Sequence, residues 1–596
     1  MPEYKNPQNE PGMDRNLLFV FLLMAVVIFG SQLLFKKNAP QPPSAAHPTQ
    51  QPIQPGAAST PASSAPAAPS LAASAQGRPK TAAGKKSAPV PQQITRQASS
   101  ESQIVVENDL YKITFTNRGA QAKSWVLKKF ADDQGKPLDL VNSAAAAKYG
   151  YPLSLWTYDE GLRTKVNSAL YIPNSNSPTE TLTAPADLSF EYSDADVTVR
   201  KTFHFDQSYV VGVNTSVVLN DSPAWAFPAW PSGFGDQTTI PAYAAGQLEY
   251  QVNNTTERVA LKKVSGGNTL HGTYDWTGVT DTYFAAVFIP DNPDNLTAVT
   301  LRGVIDLPGS NPNENKPAEI LGVAAGQPGQ SSQRLFAGPK ALQVLEAIRV
   351  PTITGAEKDL RALVNFGSLG LIARPLFIWL RWTFNYVHNW GWAIVLQTIL
   401  ITIALLPLRI TQMKSALKMQ RVQPQMKAIQ EKYKKYTMRD PRKQDMQKEI
   451  AALYKEHGVN PLGGCLPLLV QLPFLWAYYK MLGAAIDLRQ AHWLWIRDLS
   501  SPDPIYLLPL VMVVSMVVMQ RMTPQPGMDP AQQRMMNVVM PLMMGFIFFK
   551  LAAGLNLYYA LSNLIMIAQQ GVMNRTTLGR EMREIAAKRA RKKNSS

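Results

Sequence analysis

The 596-residue chain holds a single cysteine, Cys465, so no disulfide can form within it. Its six histidines (His47, His204, His271, His388, His457 and His492) are scattered without ligand-like spacing, which argues against a structural metal site. Acids are scarce: 42 stand against 59 lysines and arginines, a formal net charge of +17. Such a surplus suits nucleic acid or an anionic membrane surface as partner. No nucleophile elbow, metal cluster or paired-carboxylate signature rises above chance. Gly84-Lys85-Lys86-Ser87 lacks the upstream glycine of a phosphate loop. The chain does not read as an enzyme, and no cofactor is expected.

Long apolar runs occur at 17–35 and again beyond 370, and the basic clusters flank them, which favours a membrane protein over a nucleic-acid binder. The first run, about 19 residues, is long enough to cross the hydrocarbon core. Lys36-Lys37-Asn38 follows it where a signal peptide would carry small residues, so it reads as an uncleaved anchor. The stretch 38–100 is Pro, Ala, Ser and Gln with scattered Lys, a flexible tether that can bury no core. From 101 to 350 the texture changes. Ile104-Val105-Val106, Tyr111-Lys112-Ile113-Thr114-Phe115 and Val197-Thr198-Val199-Arg200-Lys201-Thr202-Phe203 alternate with period two between turn residues, which predicts an antiparallel β-sandwich. A helix carrying Ala341, Leu342, Val344, Leu345 and Ile348 closes it.

Beyond 370 the expected order is an interfacial helix (370–388), spans at 389–409, 461–486, 505–521, 535–550 and 551–570, and a basic tail (571–596). With the anchor at 16–37 this makes six spans. The stretch 410–458, between the first two of these, has apolar residues at alternating four and three: Val422, Met426, Ile429, Tyr433 and Tyr436, then Met446, Ile450, Leu453 and His457. Asp440-Pro441 between the two series is a helix start, so a helical hairpin is predicted. Lysines and arginines crowd both this hairpin and the tail, which puts them in the cytosol with the N-tail (1–15) and the loop 522–534. The β domain and the loop 487–504 are then outside. The cationic outer faces suit anionic lipid or ribosomal RNA, although apolar stripes that merely pair with each other explain the hairpin itself.

Ordered motifs over about 210 residues resemble the YidC/Oxa/Alb family of membrane insertases. They are Asn460-Pro461-Leu462-Gly463-Gly464-Cys465-Leu466-Pro467, Gln471-Leu472-Pro473, Leu488-Arg489-Gln490-Ala491 and Trp495-Ile496-Arg497-Asp498-Leu499-Ser500. Asp529-Pro530-Ala531-Gln532-Gln533 and Gly554-Leu555-Asn556-Leu557-Tyr558-Tyr559-Ala560-Leu561-Ser562-Asn563-Leu564 follow. Anchor, tether and exported sandwich match the layout of the Gram-negative form. The resemblance implies a multi-domain protein of the bacterial inner membrane: a periplasmic β supersandwich and an α-helical bundle, five of whose helices surround a hydrated groove. It also implies nascent membrane-protein clients, the ribosome and the Sec translocon as partners, with no small-molecule substrate. A secondary transporter is the competing reading, but no inverted repeat and no buried carboxylate pair supports it.

The groove residues expected on this basis are Gln397, Thr398, Thr402, Arg409, Asn556, Tyr558, Tyr559, Ser562 and Asn563. Met512, Met516, Met540, Met543 and Met544 are expected to form an adaptable slide for clients, with lipid-facing filler as the plainer explanation. Lys427, Lys434, Lys435, Arg439, Arg589, Arg591, Lys592 and Lys593 would dock the ribosome or lipid. In one place the chain departs from the family: Thr402 occupies the position of the usual groove arginine, with Thr398 and Pro407 in register. At 100° per residue Thr398, Thr402 and Arg409 share a helix face, so Arg409 would supply the positive potential at the groove mouth while the threonines keep the interior wet. An ordinary positive-inside anchor is the alternative role for Arg409. Asn556, Asn563 and Gln570 recur every seven residues, as either a groove wall or helix–helix hydrogen bonds. Lys480, near the outer end of its span, reads as a snorkelling side chain. The runs 505–520 and 535–549 are short, about 23 Å of helix against a hydrocarbon core of ~30 Å, and should thin the bilayer. Lengthening each by one turn is expected to slow client insertion; unchanged insertion rates in reconstituted vesicles would refute the thinning argument.

Overall fold

The computed structural model describes residues 95–584 apart from 133–134, 175–180, 237–244, 253–254, 309–314, 353–354, 356, 437–439, 460–465, 523–534, 578 and 582–583. The expected anchor and all but the end of the tether lie outside the described residues. So do Arg439, Arg589, Arg591, Lys592 and Lys593 and the segments Asn460-Pro461-Leu462-Gly463-Gly464-Cys465 and Asp529-Pro530-Ala531-Gln532-Gln533.

Alternating sequence becomes alternating burial in the β domain. In Val197–Phe205 the side chains of Val197, Val199, Lys201, Phe203 and Phe205 point inward. This strand pairs antiparallel with Ala186–Ser193 and Val210–Leu219 in a ten-stranded sheet, and two five-stranded sheets complete the domain. Phe115, Phe190, Phe203 and Phe205 form one aromatic knot of the core, and Trp125 meets Trp230 edge-on at 5.7 Å between centroids. One pairing departs from the all-antiparallel expectation: Gln103–Glu107 runs parallel to Thr181–Thr183. The chain between them is long enough for a crossover and includes two helices, α1 (Ser143–Tyr149) and α2 (Glu160–Ser168). The expected closing helix is α3 (Leu342–Ala347), with Leu342 and Leu345 buried.

The helical part begins with α4 (Gly370–Val387) and α5 (Trp390–Ala404), bent by 119° to each other. The bend has local causes. His388 takes a left-handed conformation (φ 52°), and the Asn389 side chain then caps α5 by accepting from the Trp392 amide at 3.1 Å. Next come α6 (Leu406–Lys432), α7 (Arg442–Glu456), α8 (Leu466–Ala484), α9 (Leu507–Met522), α10 (Met540–Phe548, preceded by a π turn at Met535–Val539) and α11 (Ala553–Arg575). Among the described residues no single helix is long and apolar enough to cross a membrane; the bent pair α4–α5 passes by length and composition together. The expected unbroken helix through 389–409 is interrupted at Leu405. Pro407 is the physical reason, since it lacks an amide hydrogen and fits the first turn of a new helix. Helices α6 and α7 lie against each other, with Val422, Met426, Tyr433 and Ile450 buried between them and Tyr433 donating to Glu449 at 2.7 Å. His457, expected on the same apolar stripe, is exposed.

Two residues join the halves. Arg489 donates to the Ala131 carbonyl (3.1 Å) and lies near the Tyr283 and Phe284 rings, while Gln490 donates to the Ala131 and Asp132 carbonyls (2.9 and 3.2 Å). Lys480 lies over the rings of Trp476 and Tyr479, and its stem runs past Gly367, which holds a left-handed turn at φ +69°.

The inward lysine of Val197–Phe205 generates a prediction. Lys201 is fully buried, and its ammonium donates to the carbonyls of Gly119, Ala120 and Leu153 at 2.6, 3.1 and 2.8 Å. Replacing it by methionine strands three acceptors and is expected to cost about 3 kcal/mol of stability, read from urea unfolding of the full chain in detergent. Burial pulls the lysine down to about 7. Between that value and the ordinary lysine range the unfolded chain binds more protons, so wild-type stability is expected to rise with pH across this window. The methionine variant should lose that slope; equal slopes in the two proteins would refute the assignment.

Candidate client groove

Helix α5 starts hard against the loop after α8: a Cβ at Gly391 would come within 2.1 Å of the Trp493 side chain, so only glycine fits. Asn389 fixes the same junction by donating to the His492 carbonyl at 3.0 Å. Two turns further along, Gln397 is fully buried. Its Nε2 donates to the Leu376 carbonyl of α4 (2.9 Å), and its Oε1 accepts from the Tyr478 hydroxyl of α8 (3.0 Å). Tyr478 stacks on Tyr558 of α11 with centroids 4.2 Å apart; Tyr558 meets Tyr559 edge-on, and Tyr559 meets Phe548 of α10. One amide and three tyrosine rings thus connect α4, α5, α8, α10 and α11.

Thr398 and Thr402 are buried as expected, but their hydroxyls donate to the carbonyls of Ile394 and Thr398, four residues back on the same helix. A threonine whose proton is used this way offers its acceptor side to water or client. Arg409 stands beyond the break at Leu405 and so does not share one helix with the threonines. It still turns toward the same neighbour, because its guanidinium lies against the Met566 sulfur of α11 while the Thr402 carbonyl accepts from Gln569. Arg409 is half-buried, and among the described residues no carboxylate pairs with it.

The seven-residue stripe of α11 is buried and engaged. Asn556 donates to the Phe548 and Leu551 carbonyls (3.0 and 3.1 Å), closing the end of α10, and Asn563 donates to Ser515 of α9 (3.1 Å). Gln570 bonds to Asn574 at 2.9 Å, and Ser562 is buried beside the stripe. Helix–helix hydrogen bonding therefore accounts for Asn563, and Asn556 serves the helix end. The methionines are differently placed than expected. Met512 and Met544 are buried, while Met516, Met540 and Met543 pack half-buried against the core. The outward positions of α9 and α10 belong instead to Leu510, Val514, Leu542 and Phe546, all more than half exposed. Lys427, Lys434 and Lys435 are exposed on α6 and the turn after it.

The arrangement inverts a water-soluble bundle. Amides, hydroxyls and tyrosines lie inside, whereas Trp392, Leu396, Leu400 and Ile403 form an exposed apolar face along α5 and similar faces line α9 and α10. A bilayer tolerates that distribution and water does not. Sequence reasoning missed Tyr478 and Ser515, the partners that satisfy Gln397 and Asn563. The available signal was a tyrosine in the middle of an apolar run, whose hydroxyl must find an acceptor when buried. Gln397→Leu is expected to cost about 1–2 kcal/mol of bundle stability in detergent. Tyr478→Phe should cost less, and the double variant less than the sum; strict additivity would show that the amide and hydroxyl act separately.

Residues 103–379 match the family model of the YidC periplasmic domain, and residues 382–580 match that of the 60Kd inner membrane protein. The membrane protein insertase YidC of Geobacter metallireducens is 31% identical over 588 residues, covering 96% of this chain and 100% of that one. Its counterpart in Syntrophus aciditrophicus is 30% identical over 586 residues, covering 94% and 100%. A crystal structure of an active YidC insertase with its first transmembrane domain resolved is 21% identical and covers 81% of this chain and 94% of that one, with a TM-score of 0.34. On the strength of the full-length relatives, this chain belongs to the YidC family of membrane protein insertases.

Proposed function

We propose that this chain inserts and helps fold integral membrane proteins of the inner membrane, alone on small clients and beside the Sec translocon on larger ones. The observation that carries the reading is similarity over nearly the whole chain to proteins named as insertases. The β domain is periplasmic; α6, α7 and the basic tail face the cytosol, where Lys427, Lys434 and Lys435 meet the ribosome or anionic lipid. Helix α4 lies in the headgroup layer, a placement supported by its exposed Leu371, Ile378, Trp382 and Tyr386.

The mechanism needs no covalent step. A client's apolar residues each gain roughly 0.3–0.6 kcal/mol on entering the bilayer, so the protein has only to lower the barrier for the polar tail. The 16 residues of α9 make about 24 Å of helix, shorter than a hydrocarbon core of ~30 Å, so the membrane beside it thins. Arg409, with no carboxylate partner among the described residues, attracts acidic client residues toward this thinned region from the first turn of α6. The exposed aliphatic ridge of Leu510, Val514, Leu542 and Phe546 receives the client's apolar segment.

Supplying this chain to bacteria depleted of their own insertase is expected to restore insertion of small membrane proteins, scored by protease protection. No restoration would refute the function. Arg409→Ala should slow the insertion of clients with acidic tails several-fold and leave neutral-tailed clients unaffected. Equal rates for wild type and Arg409→Ala with both clients would reduce Arg409 to a positive-inside anchor.

A further inference from the structure

A second site lies where the β domain passes into α4. A cavity of about 600 Å³ is lined there by Gln251 and Arg258 of the sheet, Leu342 of α3, residues of the connector 357–367, and Gly370 and Arg374 at the start of α4. The volume suits a small-molecule site. Its charge is unbalanced, with Arg258, Lys358, Arg361 and Arg374 against Glu357 and Asp359.

Two of the four cations are already engaged. Arg258 is held by Glu249 and the Ala362 carbonyl, and Arg361 by Asp359 and Glu346. The other two are not. The Lys358 ammonium is shut off from solvent and has no hydrogen-bond partner among the described residues. It feels the Asp275 carboxylate, but Asp275 Oδ2 is unpaired as well, so the two do not satisfy each other. Arg374 is exposed, and among the described residues neither an ion pair nor a hydrogen bond holds its guanidinium; its coupling to Asp359 is through space. A buried ammonium without a partner is costly unless a ligand or water completes it. The first amide of α4, that of Gly370, is already bonded to the Gly367 carbonyl, so the charged side chains carry the site.

We propose that this cavity binds a phosphate group, and that the phosphate is the headgroup of an anionic phospholipid in the outer leaflet. Arg374 holds the phosphate oxygens, Arg361 closes the rim, and the buried Lys358 ammonium adds positive potential from within the wall. The lipid source follows from what adjoins the cavity. Leu371, one residue from Gly370, is 89% exposed, and Ile378, Trp382 and Tyr386 continue that apolar face along the same helix. Acyl chains beside this face and a headgroup in the cavity would pin the β domain to the membrane surface. The proposal uses the membrane placement of α4 but not the insertase activity.

The test is native mass spectrometry of the full chain in detergent, titrated with phosphatidylglycerol, with phosphatidylethanolamine and with inorganic phosphate. Phosphatidylglycerol is expected to bind, and Arg374→Gln, an exposed and unpaired position that should not disturb folding, to weaken that binding by about tenfold. Lys358→Gln should do the same, and millimolar phosphate should compete only weakly. Equal binding of phosphatidylglycerol by wild type and both variants would overturn the site. Inorganic phosphate binding as tightly as the lipid, and lost in the same variants, would overturn the lipid source. Insertion restored in depleted cells alongside unaltered lipid binding in the variants would separate failure of this site from failure of the insertase reading.

Discussion

A buried amide must find its partners inside the protein, and Gln397 does so with one bond to a backbone carbonyl and one to a tyrosine hydroxyl. Much of the helical bundle's arrangement depends on that constraint. The carbonyl it reaches belongs to α4 and the hydroxyl to α8, so one side chain of α5 ties two other helices together. The tyrosine passes the constraint on by stacking against α11. Where the surroundings offer no hydrogen bonds, polar side chains can pair only with each other, and their mutual geometry fixes which helices may be neighbours. The outward faces, by contrast, are plain aliphatic and specify little.

The two halves of the chain solve opposite solvent problems. The β domain hides apolar residues from water by strand alternation, and the inward lysine of Val197–Phe205 is paid for with three carbonyls. The helical part hides polar residues from a medium that cannot bond them. The junction is where these regimes meet: apolar burial runs on from the sheet through Leu360, Leu363 and Phe366 into the helices, while unpaired charge collects at its edge.

Local pattern in the sequence was a good guide to elements and a poor one to partners. Period two located the strand through residues 197–203, but not the buried Lys201 or the three carbonyls that make a lysine tolerable there. The breadth of the helices around residues 370–404, 507–522 and 553–575 was legible from apolar runs. The break at Leu405 had its signal in Pro407, yet a uniform 100° per residue carried the predicted face straight through it. That the Arg409 guanidinium and the Thr402 carbonyl both meet α11 is a tertiary fact. The methionines illustrate the same limit. Met512 lies two residues from Leu510 and so turns to the other side of the helix, and which side is interior depends on a neighbour more than 40 residues away. The bonds of Gln397 span 21 and 81 residues, beyond the reach of any periodicity.

The joint between the domains has a consequence for how such a chain can change. Arg489 and Gln490 grip the carbonyl oxygens of residues 131 and 132, not their side chains. Every amino acid carries that acceptor. The side chains on this edge of the β domain are therefore free to drift over evolutionary time without loosening the hinge, provided the backbone keeps its course. The burden of keeping the halves in register falls on the short loop after α8, and a domain so attached can be remodelled, or exchanged for another of the same outline, while the membrane part stays as it is.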